Sequence, residues 1–175
     1  MSGMGIAKSW LWGAHSALGL AVALATFAID QMHKFWMLYV YDITAKGKVA
    51  VTPFLDLVFV KNTGISYSLF DQDSQAGQYM LAAFAVLASA AMWVWLTRPD
   101  TTRLMAWSLA LIIGGALGNA LDRVLIGGVA DFFSAHAFGF YWYVFNIADV
   151  AIVAGVAGLL YDSYKSSRND AAKPL

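Results

Sequence analysis

Four stretches of this chain, residues 11–29, 79–96, 104–121 and 143–161, carry almost no charge before their ends. Each is close to the ~20 apolar residues that a helix rising about 1.5 Å per residue needs to cross ~30 Å of bilayer hydrocarbon. An ionised side chain at mid-bilayer costs at least ~2.5–3.5 kcal/mol, so Asp149 inside the fourth stretch is an exception that asks for a reason. Composition agrees with a lipid setting. Apolar residues make up 60% and charged residues 13% of 175 positions, against about half and about a quarter in soluble domains. The 11 Lys and Arg cancel the 11 acids, all of them aspartate, which excludes a basic nucleic-acid binder. With no cysteine, disulfides, thiolate zinc sites, iron–sulfur clusters and cysteine nucleophiles are excluded as well. The length fits a single membrane-embedded domain spanning residues 1–175.

Orientation follows from the cations, because short cytoplasmic segments are enriched in Lys and Arg. Six lie in the N-terminus, the 97–103 hairpin and the C-terminal tail, against five in the other connecting segments, which are more than twice as long. Both termini are therefore expected in the cytoplasm and the two large loops outside. Trp10, Trp12, Trp93, Trp95 and Trp107 then line the inner interface, with Trp36 and Trp142 by the outer one. Lys8, the apolar run 11–22 and Ala23-Leu24-Ala25 also fit a cleaved secretory signal, which leaves the later helices oriented the same way. The first outer loop, about residues 35–76, is too long for a turn and shows period-2 patterning. Residues 54–60 are rich in strand formers and 65–69 alternate apolar with hydroxyl residues around a 62–64 turn. The expected fold is mainly α, four transmembrane helices with a small antiparallel β-sheet on the outer face.

Polar residues at membrane depth default to function once packing has been considered. Gly114 and Gly118 read first as a helix-packing seam, with Gly115 between them. Asn119 shares a helical face with Asp122 and Arg123, which read as a structural ion pair facing a wet cavity or a partner. Asn146 and Asp149 share a face at the start of the fourth helix, and Asp131 sits among bulky apolar residues in the second loop. Alone, Asp131 reads as a turn or cap residue. Together, two such carboxylates do not both ionise easily, and one shared proton lets a pair act as base and acid on a water. Asp30 and Lys34 are i, i+4 partners, read from spacing as an interfacial salt bridge worth a few tenths of a kcal/mol. The three histidines match no HExxH spacing, and no serine lies in a Gly-x-Ser-x-Gly or Ser-x-x-Lys context, which disfavours zinc proteases and serine hydrolases.

DQMHK (30–34), PFLDLVFVKNTG (53–64), GGALGNALDR (114–123), VADFF (129–133) and FNIAD (145–149) together resemble the ordered motif set of lipoprotein signal peptidase, signal peptidase II. The resemblance implies a bacterial inner-membrane aspartyl endopeptidase, its site near the periplasmic face. Such an enzyme removes the signal peptide from prolipoproteins just before a diacylglyceryl-modified cysteine. It makes Asp131 and Asp149 the catalytic pair. Asn62, Gly64, Gly115, Asn119, Arg123 and Asn146 match positions that line or bind at the site, and Asp122, Asp30 and Lys34 match positions that support it. Ile65, Ser66 and Tyr67 stand where many members have smaller residues and phenylalanine. No cofactor or metal is implied; membrane lipids are partners, globomycin-type cyclic peptides are expected inhibitors, and a monomer is expected. Two other classes fit part of the pattern. A transporter also uses membrane-depth aspartates, but gives no reason for a carboxylate pair confined to one edge. A scaffold built on the Gly114/Gly118 seam tolerates loss of both carboxylates.

Overall fold

The computed structural model describes residues 10–64 and 74–171. The expected strand at 65–69 lies outside them. Four long helices dominate: α1 (Ser16–Phe35), continued by a π-helical turn Trp36–Val40, α3 (Gln75–Leu96), α4 (Arg103–Ile126) and α5 (Ile147–Ala171). A one-turn helix α2 (Ile43–Lys46) precedes β1 (Val49–Thr52) and β2 (Leu55–Asn62), while β3 (Val129–Ala137) and β4 (Phe140–Phe145) lie between α4 and α5. Each long helix contains a span apolar and long enough to cross a membrane.

Helix boundaries follow capping chemistry rather than the ends of the apolar runs. Ser74 and Thr102 accept from the amides of Gly77 and Met105 and so open α3 and α4, and Gly127 closes α4 with a left-handed φ of 68°. The first helix opens at Ser16, five residues inside the hydropathy run. The fourth opens at Ile147 rather than Tyr143, because residues 143–145 pair as strand against β3. This moves Asp149 from the interior of a span to the first turn of a helix, which removes most of the objection to a carboxylate there.

Helix α4 is the hub and packs against α1, α3 and α5, whereas α1 and α5 touch more lightly. Its glycines permit this. A Cβ on Gly114 would meet the Ala23 carbonyl of α1 at 2.5 Å, and one on Gly115 would meet the Ala148 carbonyl of α5 at 2.6 Å. The core joins Val22 and Ala23 to Leu96 and to Ala106, Leu109, Ala110 and Ile113 of α4. Large apolar side chains such as Phe84 (72% exposed) and Leu160 (67%) point outward, as expected where lipid is the solvent.

The sheet is antiparallel in the order β1-β2-β3-β4, drawing two strands from each loop rather than folding within the first. Val60 pairs with Asp131 and Asn62 with Val129. The β3–β4 turn is Phe138-Gly139, both with positive φ, matching the twist of a two-residue hairpin. Met37, Ile43, Ala130 and Phe132 form a second apolar cluster beneath the sheet. At its far end Asp56 is clasped by Lys48 at 2.6 Å and His136 at 3.1 Å, and Lys48 holds the Asp56 carboxyl below its ordinary range.

Candidate active site

Asp131 and Asp149 arrive from different elements. Asp131 is on strand β3, not in a turn, and both faces of β3 are buried at this point, so no alternation in the sequence marks it as strand. Asp149 is in the first turn of α5, where it completes a reciprocal cap. The Asp149 amide donates to Asn146 Oδ1 at 3.0 Å, and the Asn146 amide donates to Asp149 Oδ2 at 3.1 Å, the two-way arrangement of a capping box. Asn-x-x-Asp before an apolar run is therefore a local signal.

Asn146, fully buried, joins the two carboxylates. Its Nδ2 donates to Asp131 Oδ1 at 2.6 Å and to Asn119 Oδ1 at 3.2 Å. Asn62 Nδ2 donates to Asp131 Oδ2 at 3.1 Å, and Asn119 Nδ2 to Asp149 Oδ1 at 3.0 Å. Each of the four carboxylate oxygens thus accepts a hydrogen bond from a neutral donor. Neither aspartate forms an ion pair among the described residues. Burial, and next the charge of Asp149, push the Asp131 carboxyl up to about 7, against the opposing pull of Asn62 and Asn146. A carboxyl in that range exchanges a proton near neutrality, which is what acid–base work requires.

Beside this pair lies a second carboxylate cluster. Lys34 Nζ sits 2.8 Å from Asp30 Oδ2, 2.8 Å from Asp122 Oδ2 and 3.0 Å from Asn119 Oδ1. Asp30 and Lys34 are i, i+4 partners as expected, but buried, not interfacial. Asp122 and Arg123 do not pair. Adjacent helical residues point about 100° apart, so Asp122 turns to Lys34 of α1. Arg123 donates instead to the carbonyls of Asn119 at 3.1 Å and Gly64 at 3.0 Å. Gly64 also donates its amide to Asn62 Oδ1 at 3.1 Å, which fixes the asparagine that faces Asp131.

Gln31 carries no signal of its own in the sequence. Its Nε2 bridges Asp30, the Gly118 carbonyl and Asp122 at 3.1 Å each. Gly118 is small for that cluster as much as for the helix seam, since a Cβ there would meet Asp30 Oδ2 at 2.6 Å. A groove of about 540 Å³ runs from Asp149 along α5 past Val150, Val153 and Ala157, walled by Trp142 and Phe145. Among the described residues no group of three or more His, Cys, Asp or Glu side chains is arranged to hold a metal ion.

Comparison with known proteins gives the chain its relatives. The family model described as Signal peptidase (SPase) II matches residues 22–165. A lipoprotein signal peptidase of Methylobacterium sp. is 50% identical over 156 residues, 89% of this chain and 94% of its own length. One of Methylocella silvestris is 52% identical over 151 residues, covering 86% and 88%. Among solved structures, a bacterial membrane enzyme determined by the in meso method at 2.3 Å resolution superposes with a TM-score of 0.72 at 25% identity, covering 91% of this chain and 94% of that one.

Proposed function

We propose, from the fact that this chain belongs to the signal peptidase II family, that it is a membrane endopeptidase that removes the signal peptide from prolipoproteins, using Asp131 and Asp149 as a metal-free catalytic dyad. The observation that carries the dyad is their arrangement: a buried and a half-buried carboxylate from separate elements, joined by one asparagine and faced by amides rather than cations. In an ion-pair network a cation would face the two carboxylates, as Lys34 faces Asp30 and Asp122. Here one proton is left for the two to share.

Asp131, with its raised proton affinity, is the protonated member near neutral pH, and Asp149 is the base. Asp149 takes a proton from a water held between the carboxylates as that water attacks the scissile carbonyl. Asp131 donates a hydrogen bond to the carbonyl oxygen as charge develops there, then passes its proton toward the leaving amine. These steps leave Asp149 protonated and Asp131 ionised, and transfer of that proton from Asp149 to Asp131 restores both for the next turnover. Asn146 and Asn119 keep Asp149 aimed, and Asn62 does the same for Asp131.

The substrate is a prolipoprotein whose cysteine carries diacylglycerol, cut just before that cysteine. Its chains are already in the bilayer, so membrane anchorage supplies much of the positioning. The apolar groove that begins at Asp149 suits acyl chain or signal-helix side chains. The sheet-bearing end faces the periplasm of the bacterial inner membrane, with both termini in the cytoplasm and the chain acting as a monomer. Globomycin-type cyclic peptides then compete for the same site.

The test is cleavage of a diacylglyceryl-modified prolipoprotein by the purified chain, with Asp131→Asn, Asp149→Asn and a chelator beside wild type. Release of the signal peptide at the lipidated cysteine in chelator, lost in both folded variants, is the expected result. Full activity in either variant sinks the dyad.

A further inference from the structure

Lys34 has three ammonium protons, and each begins a route that ends at the aspartate pair. The first goes to Asp30, whose other oxygen accepts the backbone amide of Ala148 at 3.0 Å. The second goes to Asp122 Oδ2, which also accepts the backbone amide of Ala130 at 3.1 Å. Ala148 immediately precedes Asp149, and Ala130 immediately precedes Asp131. The third goes to Asn119 Oδ1. An ammonium only donates, so it fixes which end of that amide faces it and turns Nδ2 toward Asp149.

We infer that Lys34 is the positioning residue of the active site: a single buried ammonium that, through Asp30, Asp122 and Asn119, sets the spacing and facing of Asp131 and Asp149. The inference rests on the dyad reading above. Strand β3 is held by its ladder to β2 and β4, and α5 begins at a helix end, where the first backbone amides have no intrahelical acceptor. The Asp30 carboxylate supplies an acceptor at that loose end, and the Asp122 carboxylate supplies one to the strand. Both carboxylates are buried and share one ammonium, so removing it takes away the partner that holds each of them against its backbone amide. Lysine suits the task because a compact ammonium directs three donors to acceptors on α1 and α4 at once. An ordinary helix-packing ion pair needs none of the three second contacts.

Hydrogen exchange reads this without relying on activity. The full chain is labelled with ¹⁵N-alanine in detergent micelles, and Ala130 and Ala148 are followed with Ala110, a core residue of α4, as reference. In Lys34→Met both site amides lose at least ~10-fold more protection than Ala110, whose own loss reports the drop in global stability. Asp122→Asn speeds Ala130 alone, and Asp30→Asn speeds Ala148 alone. On the diacylglyceryl prolipoprotein, kcat of Lys34→Met falls about 100-fold with KM within about threefold, because a displacement near 1 Å at the reacting groups costs that much.

Unchanged protection of both amides in Lys34→Met, equal loss at Ala110, or an equal response of both amides to each single carboxamide variant overturns the proposal. Should Lys34→Met fail to fold, the two carboxamide variants decide it. If the exchange pattern appears while wild type cleaves no prolipoprotein, the three-way anchoring stands, the dyad reading fails, and with it the assignment of Lys34 to catalysis.

Discussion

Two pairs of aspartates lie side by side in this molecule, all buried but Asp149, which is half-buried at the groove, and they differ in what faces them. Asp30 and Asp122 share the ammonium of Lys34 at 2.8 Å each. Asp131 and Asp149 share Asn146, which donates its side-chain amide to Asp131 and its backbone amide to Asp149. A cation between two carboxylates compensates their burial and fixes both in place, and the structure uses them as acceptors for two backbone amides. Neutral donors orient Asp131 and Asp149 without neutralising either, and burial, then the charge of Asp149, raises the proton affinity of Asp131. The same residue type thus faces a cation in one pair and neutral donors in the other, and that contrast is what the proposed dyad rests on.

The comparison is broken most severely by removing a carboxylate of the reactive pair. Asp131→Asn or Asp149→Asn lowers kcat by about 10³-fold or more, the scale of lost acid–base catalysis, with unfolding still cooperative. Next is the loss of compensation in the other pair. Lys34→Met destabilises the fold by about 3–5 kcal/mol, because two buried charges lose their partner; an unchanged unfolding midpoint would show that the cation does not hold the cluster.

The reactive pair also predicts a pH dependence. Folded Asp131 keeps its proton to about 7, whereas the unfolded chain releases it near 3.9. Between those values the folded state binds more protons, so wild-type stability falls as pH rises across that window. Asp131→Asn lacks this slope and gains on wild type by about 3 kcal/mol between pH 4 and 7, then no further. Parallel denaturation curves at both pH values contradict the assignment. A smaller effect sharpens the packing side of the comparison: Gly118→Ala forces a methyl against Asp30 and costs about 2 kcal/mol, read from the unfolding midpoint. Smallest is Lys48→Ala at the far end of the sheet. Solvent screens its half-exposed pair with Asp56, so the unfolding midpoint barely moves and cleavage stays within about twofold of wild type.

Much of the site was legible from residues alone. Asn146-x-x-Asp149 states a capping box, and the depth of Asp131 and Asp149 between apolar neighbours marks them as a pair. The bounds of the fourth helix were not legible, because residues 143–145 are as apolar as a span yet pair with β3. Nor was the sheet, since its inner strands come from loops nearly seventy residues apart, Asn62 pairing with Val129. The i, i+4 spacing of Asp30 and Lys34 was visible, but spacing carries no information on burial, and the bridge is the least exposed among the described residues. Neighbouring charges at Asp122 and Arg123 suggested a pair that helical geometry forbids.

By itself the sequence determined that the chain is built from four membrane-length helices and which carboxylates lack an ordinary explanation. Those are local properties, set by the cost of charge in lipid and by hydrogen bonds a few residues long. Only the tertiary structure decided which carboxylates keep a cation and which keep a proton. That depends on α4 coming close enough to α1 and α5, across glycines 114, 115 and 118, for Lys34 to reach Asp122 and for Asp30 to reach Ala148, contacts between segments 88 and 118 residues apart.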